Sequence, residues 1–345
     1  MSNFRAAIIG ATGFTGIELV RLLSQHPQIE LAALTSESKA GQDYADVFPQ
    51  FRGLVSHQLQ SYHDLHPEDI DILFLALPHR VSMSFVKEHP QWTMPIIDLS
   101  GDFRLDDPLS YEKWYDKKHV LPDRVGQAAY GLPELHEEKI RKADLIANPG
   151  CFPTASILPL APLVAEGLID PEYVIIDAKT GVTGAGAKSK PVNHFSSVND
   201  NFKAYGLKTH RHSIEIQQQL DHLSSKGMRI QFTPHLLPID RGILTTCYSR
   251  PHQAITDTEL YELYQNFYRD QPFIRLVSTA PSLKQVRGSN FCDIYLTFDE
   301  RTGNIISMGA IDNLVKGAAG QAVHNMNLRL GLAPDAGLSI VPLQP

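Results

Sequence analysis

The opening of this chain is what most constrains its fold. Ala6-Ala7-Ile8-Ile9 reads as a buried strand that runs straight into Gly10-Ala11-Thr12-Gly13-Phe14-Thr15-Gly16, after which Ile17, Val20 and Leu23 recur at helical spacing up to Gln25-His26-Pro27. A second strand at 29–35 completes a βαβ unit. The three glycines have separate tasks: a tight turn at Gly10, room for a pyrophosphate to approach the backbone at Gly13, and close helix–strand packing at Gly16. A glycine triplet alone is equally an ordinary strand–helix turn. Its place between a strand and an amphipathic helix makes it a dinucleotide loop, with Thr12, Phe14 and Thr15 as further cofactor contacts.

An NAD-selective site carries a carboxylate near the end of the second strand. Here the strand ends Leu34-Thr35-Ser36-Glu37-Ser38-Lys39. The hydroxyls of Ser36 and Ser38, with a lysine close behind, suit a 2′-phosphate, so NADP(H) is the expected cofactor. Glu37 faces either the ribose or solvent. Further strands at 71–77, 95–99 and 145–147 extend the βαβ pattern, which predicts a doubly wound parallel sheet of Rossmann type.

The texture changes in the second half. Strands at 173–177, 229–233, 243–248, 291–298 and 304–310 alternate more, and helices at 212–224 and 257–268 lie between them. That pattern predicts an α+β domain whose mostly antiparallel sheet is covered on one face by helices. A length of 345 residues suits two domains. We expect a cofactor domain of 1–150 with 313–345 and a catalytic, dimerising domain of 151–312.

At this boundary lies Asn148-Pro149-Gly150-Cys151-Phe152-Pro153-Thr154, between a short apolar run and a helical segment. A cysteine at a helix N-terminus sits at the positive end of the dipole, which favours the nucleophilic thiolate. A small buried hydrophobe is the competing reading. Thr209-His210-Arg211-His212-Ser213-Ile214-Glu215 offers a general acid/base in His210 or His212. No carboxylate or cysteine stands at a spacing that would complete a metal site with them. Arg104 and Arg241 are expected to grip an anionic substrate group, unless each pairs with a neighbouring aspartate. The loop 179–186, which contains Gly184, presents backbone N–H groups to an anion or to the cofactor, or is equally a flexible turn.

Composition narrows the function classes. A net charge of −7 without a long Lys/Arg run gives no attraction to nucleic acid or to an anionic membrane. No apolar run reaches a membrane span, and the first residues lead into a strand without a signal-peptide pattern. Three cysteines form no disulfide framework, so a reducing cytoplasm is the expected compartment.

Gly10 to Gly16, Asp98-Leu99-Ser100-Gly101-Asp102-Phe103-Arg104, Tyr130-Gly131-Leu132-Pro133-Glu134, Asn148 to Thr154, His210 to Ile216 and Asp312 to Gly320 together resemble the N-acetyl-γ-glutamyl-phosphate reductases. That family is related to the aspartate-semialdehyde dehydrogenases, and the resemblance covers essentially the whole chain. It implies their two-domain fold, NADPH, a small acyl-phosphate substrate, a place in arginine biosynthesis, and a homodimer or homotetramer. On matching positions it makes Cys151 the nucleophile, His210 the acid/base and Glu215 a supporting carboxylate. His212 is the less favoured acid/base, and Asn313 lies near the nicotinamide. Arg104, Asn148, His212 and Arg241 are the expected substrate contacts. One departure is Ser213-Ile214, where relatives commonly have a hydroxyl residue followed by proline.

The implied chemistry is a Cys151 thioester reduced by hydride, with a protonated His210 donating to the oxyanion. Three rivals remain at this point. A reductase of aspartyl, carrier-linked or N-acetylated aminoadipyl phosphate differs by small changes in chain length. A short-chain dehydrogenase is opposed by the lack of any tyrosine with lysine four residues on. An NADP(H)-sensing regulator would need no activated cysteine.

Overall fold

A computed structural model describes residues 3–189 and 191–344. Their contacts divide the chain into two units: the residues up to Pro149 with Ala318–Ser339, and Gly150–Gly317 with the residues from Ile340 onward. The return to the first unit falls at Ala318 rather than at 313. Asn313 belongs to the second unit because its side chain is bonded to Gly242 and Thr183.

In the first unit, β1 (Phe4–Ile9), β2 (Ile29–Thr35), β3 (Leu59–Gln60), β4 (Ile72–Leu75), β5 (Ile96–Asp98), β6 (Ala129–Tyr130) and β7 (Leu145–Ala147) form one sheet. Its order is β3-β2-β1-β4-β5-β7-β6, with each neighbouring pair parallel. Ala6–Ile9 and Ile72–Leu75 are almost wholly buried, which is why both read as unbroken apolar runs. Strand order reverses between β1 and β4, and open parallel sheets bind ligands beyond the carboxyl ends of such a pair. Gly10 stands there with φ +94°, and a Cβ on it would collide with the Ala76 carbonyl just past β4.

The helix Phe14–Leu23 buries Leu19, Val20, Leu22 and Leu23. Gly16 lets it approach β1, since a Cβ there would strike the Gly10 carbonyl oxygen. Gly16→Ala is therefore expected to cost roughly 1–3 kcal/mol through backbone displacement and to weaken NADP(H) binding. A variant with wild-type melting temperature and cofactor Kd contradicts this packing.

In the second unit, β8 (Ile169–Thr180), β9 (Lys203–Ala204), β10 (Ile230–Leu236), β11 (Ile243–Pro251), β12 (Ile274–Leu276), β13 (Cys292–Asp299) and β14 (Asn304–Ile311) pair in the order β12-β13-β14-β11-β8-β10-β9. The sheet is mostly antiparallel; β10 runs parallel to β8, and β12 to β13. Helices Cys151–Ile157, His212–Leu223 and Asp257–Phe267 pack against the sheet. The strands alternate accordingly, with Val174, Ile176 and Cys247 buried and Ile175, Tyr248 and Met308 half-exposed.

The Cys151 helix is pinned to this sheet at two paired residues. Thr245 donates to the Ala155 carbonyl at 2.7 Å, and a Cβ on its partner Gly309 would lie 2.5 Å from the same oxygen. Among the described residues no helix is long and apolar enough to cross a membrane.

Candidate active site around Cys151

Cys151 is the first residue of its helix, with Gly150 as N-cap. None of the three cysteines is in a disulfide, and Cys151 alone is partly exposed. Cys247 and Cys292 are wholly buried, and burial pushes the Cys247 thiol up to about 12, which leaves it chemically inert. The turn before Cys151 is held by Glu215, a buried carboxylate that accepts the Gly150 N–H at 2.8 Å. His212 covers the same turn: a Cβ on Gly150 would collide with its Nε2, and that nitrogen lies 4.0 Å from Glu215 Oε2.

His210 and His212 stand side by side, ring centroids 4.9 Å apart, and both meet the ring of Phe152 edge-on, at 5.5 and 6.0 Å. Tyr205, which local sequence does not signal, is a further aromatic here. Its ring is 5.5 Å from His210, and its phenol is held well above its ordinary pKa by burial and by the neighbouring Cys151 charge.

The protonated His210 expected from the sequence is not the resting form. Burial, with the Arg211 charge adding, pushes its pKa down to about 4. Its Nδ1 accepts the His212 N–H at 3.2 Å, so the single ring proton of the neutral form resides on Nε2. This has a consequence for stability. With the folded pKa below the unfolded value of about 6.5, the unfolded chain binds the extra proton between pH 6.5 and 4, so stability falls as pH drops through that window. His210→Asn keeps an acceptor for the His212 N–H and is expected to lose about 2 kcal/mol less than wild type between pH 7 and pH 5. Denaturation midpoints at the two pH values check this, and equal losses contradict it.

The glycine loop of the first unit fits a dinucleotide phosphate. A Cβ on Gly13 would meet only the Gly10 carbonyl oxygen, at an ordinary contact of 3.8 Å, whereas one on Gly10 or Gly16 would collide with backbone. Thr12 and Ser36 share a hydroxyl–hydroxyl hydrogen bond of 3.1 Å, and Phe14, Thr15 and Ser38 are partly or fully exposed. Glu37 is exposed, and its oxygens accept hydrogen bonds from Ser61 Oγ at 2.8 Å and from the Tyr62 N–H at 3.0 Å.

Other expected groups are engaged elsewhere. The N–H groups of Gly181, Val182 and Thr183 donate to carbonyls of Gly242, Ile239 and Asp240, so this stretch is not the open anion cradle foreseen from sequence. Gly184 instead lies beside Asn313. Arg104 is buried and donates to the Asn148 and Leu99 carbonyls. Asn148 is buried too, its amide tied to the Ala318 carbonyl and to Asn325. Arg241 pairs at 3.0 Å with Asp312, not with Asp240, whose carboxylate meets Arg287 at 2.7 Å. Among the described residues no cluster of three His, Cys, Asp or Glu side chains is arranged to hold a metal.

Residues 5–143 match the NAD-binding domain of semialdehyde dehydrogenases, and 151–313 match the semialdehyde dehydrogenase dimerisation domain. The chain is 47% identical over 345 residues to the N-acetyl-γ-glutamyl-phosphate reductase of Citrifermentans bemidjiense, covering 99% of each. It is 48% identical over 348 residues to that of Desulfotalea psychrophila, again covering 99% of each. In fold it is similar to aspartate semialdehyde dehydrogenase II of Vibrio cholerae, with a TM-score of 0.73 at 17% identity over 96% of this chain and 99% of that one. A Candida albicans aspartate semialdehyde dehydrogenase with NADP gives 0.64 at 16% identity, over 95% and 98%.

Proposed function

The chain belongs to the N-acetyl-γ-glutamyl-phosphate reductases, oxidoreductases of the semialdehyde dehydrogenase family, and on that premise we propose that it reduces N-acetyl-γ-glutamyl phosphate with NADPH to N-acetyl-glutamate 5-semialdehyde and phosphate in arginine biosynthesis. The observation that carries this reading is the partly exposed Cys151 thiol opening a helix, with the His212 ring and the Glu215 carboxylate at the turn before it and the His210 ring beside His212.

In the proposed mechanism Cys151 Sγ attacks the acyl carbon. A C–S bond forms, the C–O bond to phosphate breaks, and phosphate leaves with the electron pair and takes a proton from solvent. NADPH, when bound, supplies the hydride that reduces the thioester carbon. His210 donates from Nε2 to the oxygen that becomes negative, a role open to a neutral imidazole because that nitrogen carries the proton. The C=O bond then reforms as the oxygen gives its proton back to His210 Nε2, the C–S bond breaks, and Cys151 leaves as thiolate. Glu215 keeps the Gly150 turn in place beneath the nucleophile, and His212 shares that turn.

The residues proposed to hold NADP(H) are Gly10, Thr12, Gly13, Phe14, Thr15, Gly16, Ser36 and Ser38, with Gly184 and Asn313 toward the nicotinamide. The engagement of Glu37 with Ser61 and Tyr62 supports the 2′-phosphate reading, since it occupies the one carboxylate at the end of β2. The half-exposed sheet face carrying Ile175, Tyr248, Ile306 and Met308 is the proposed homodimer surface, on which a homotetramer would build. Activity in the cytoplasm is part of the same proposal.

The chemistry is tested by mixing the protein with the acyl phosphate in the absence of NADPH and mapping adducts by mass spectrometry. One N-acetylglutamyl group on Cys151 is expected; acylation elsewhere, or none, contradicts the thioester.

A further inference from the structure

Behind the nucleophile lies a backbone feature that the mechanism above does not use. Val315–Ala319 is a π-helical turn, in which the Gly317 N–H donates to the Asp312 carbonyl five residues back, at 3.0 Å. Such wide turns are rare and frequently sit at functional sites. This one brings Gly317 against Cys151. A Cβ on Gly317 would lie 2.8 Å from the Cys151 Cβ, 3.2 Å from its Cα and 3.2 Å from Ile311 Cδ1. Only glycine leaves room for the nucleophile's side chain to keep its present root.

The turn is itself anchored. Asp312 is wholly buried, and its Oδ1 accepts the N–H groups of Leu314 and Val315 at 2.8 and 3.2 Å and the Arg241 guanidinium at 3.0 Å. Its Oδ2 accepts the Gly288 N–H at 2.7 Å. A carboxylate satisfied by this many donors is a fixed post, and truncating either partner of such a buried pair is costly. Asn313, the next residue, adds bonds to Gly242 at 2.7 Å and to Thr183 at 3.0 Å.

We propose that Gly317 is a positioning residue for Cys151, and that the Arg241–Asp312 pair serves the same end by holding the turn on which Gly317 is presented. Arg241 thereby acts through the nucleophile and not as a grip on the substrate. The inference rests on the reading of Cys151 as nucleophile. It adds that the direction of the thiol is set from the far end of the chain, across a contact that a single methyl group disrupts.

The test compares wild type, Gly317→Ala and Asp312→Asn for turnover, NADPH binding and iodoacetamide labelling of Cys151 across pH. The other two thiols are wholly buried, so labelling at Cys151 is read directly by mass spectrometry. Gly317→Ala is expected to lower kcat by about 10–100-fold, the scale of an ångström-sized misplacement, with KM and NADPH Kd within about twofold of wild type. Its labelling profile should move to higher pH as the thiol leaves the helix N-terminus. Asp312→Asn should change kcat in the same direction by less, and it carries the test if Gly317→Ala does not fold. Wild-type kcat and labelling profiles in both variants overturn the inference while leaving Cys151 as nucleophile. Wild-type protein that is not labelled at Cys151 overturns the nucleophile reading, and this inference with it.

Discussion

Cys151→Ser is expected to lower acyl-phosphate reduction by at least about 10⁴-fold while NADPH binds as before. The expectation follows from the thiol's setting. Cys151 is the partly exposed cysteine of the three and opens a helix whose preceding turn is fastened by Glu215. A serine hydroxyl is far less acidic than a thiol, so the same setting does not generate an alkoxide. Because Ser and Cys are nearly the same size, folding is expected to be unaffected. Turnover in the Ser variant above a tenth of wild type would remove Cys151 from the covalent role.

His210→Asn is expected to lower kcat by about 10²–10³-fold with little change in KM, the usual loss when one donor to a developing oxyanion is removed. Asparagine keeps an acceptor near the Nδ1 position for the His212 N–H, so the start of the His212–Leu223 helix should persist and the loss should report on Nε2. The pH profile adds an independent reading. A catalytic imidazolium of ordinary pKa would make kcat fall as pH rises through about 6.5, whereas a His210 already neutral in the resting protein gives no such fall. His212→Asn run in parallel decides between the two rings: if it proves the more damaging variant, His212 is the donor.

Which features were readable from sequence follows from how local their causes are. The glycine loop was legible because each glycine answers to a neighbour within a few residues or to the strand beside it, and β1, β4 and β7 were legible as short apolar runs. The strands β3, β6 and β9 have two residues each and β12 three; their pairing depends on partners, not on their own pattern. The site shows the same division. Cys151, His210, His212 and Glu215 stand in recognisable motifs; Glu215 and His212 meet the Gly150 turn before Cys151, and His210 lies beside His212.

Arg241 offered no local hint that it would choose Asp312, 71 positions away, over the adjacent Asp240. The 181–183 amides looked available only because the 239–242 loop that receives them is remote in sequence. Tyr205 reaches the site through its ring contact with His210, and Gly317, although it falls in the 312–320 motif, meets Cys151 through a tertiary contact that local pattern does not encode. The neutrality of His210 likewise comes from burial, which a motif does not encode.

The most direct test of the account is the reverse reaction. Purified protein is given N-acetyl-glutamate 5-semialdehyde, NADP⁺ and inorganic phosphate, beside parallel reactions with aspartate semialdehyde and with NAD⁺. The account predicts phosphate-dependent NADPH formation with the acetylated aldehyde and NADP⁺, and far less with either replacement. Folded protein that binds NADPH yet reduces no NADP⁺ with this aldehyde, or that prefers aspartate semialdehyde, contradicts it.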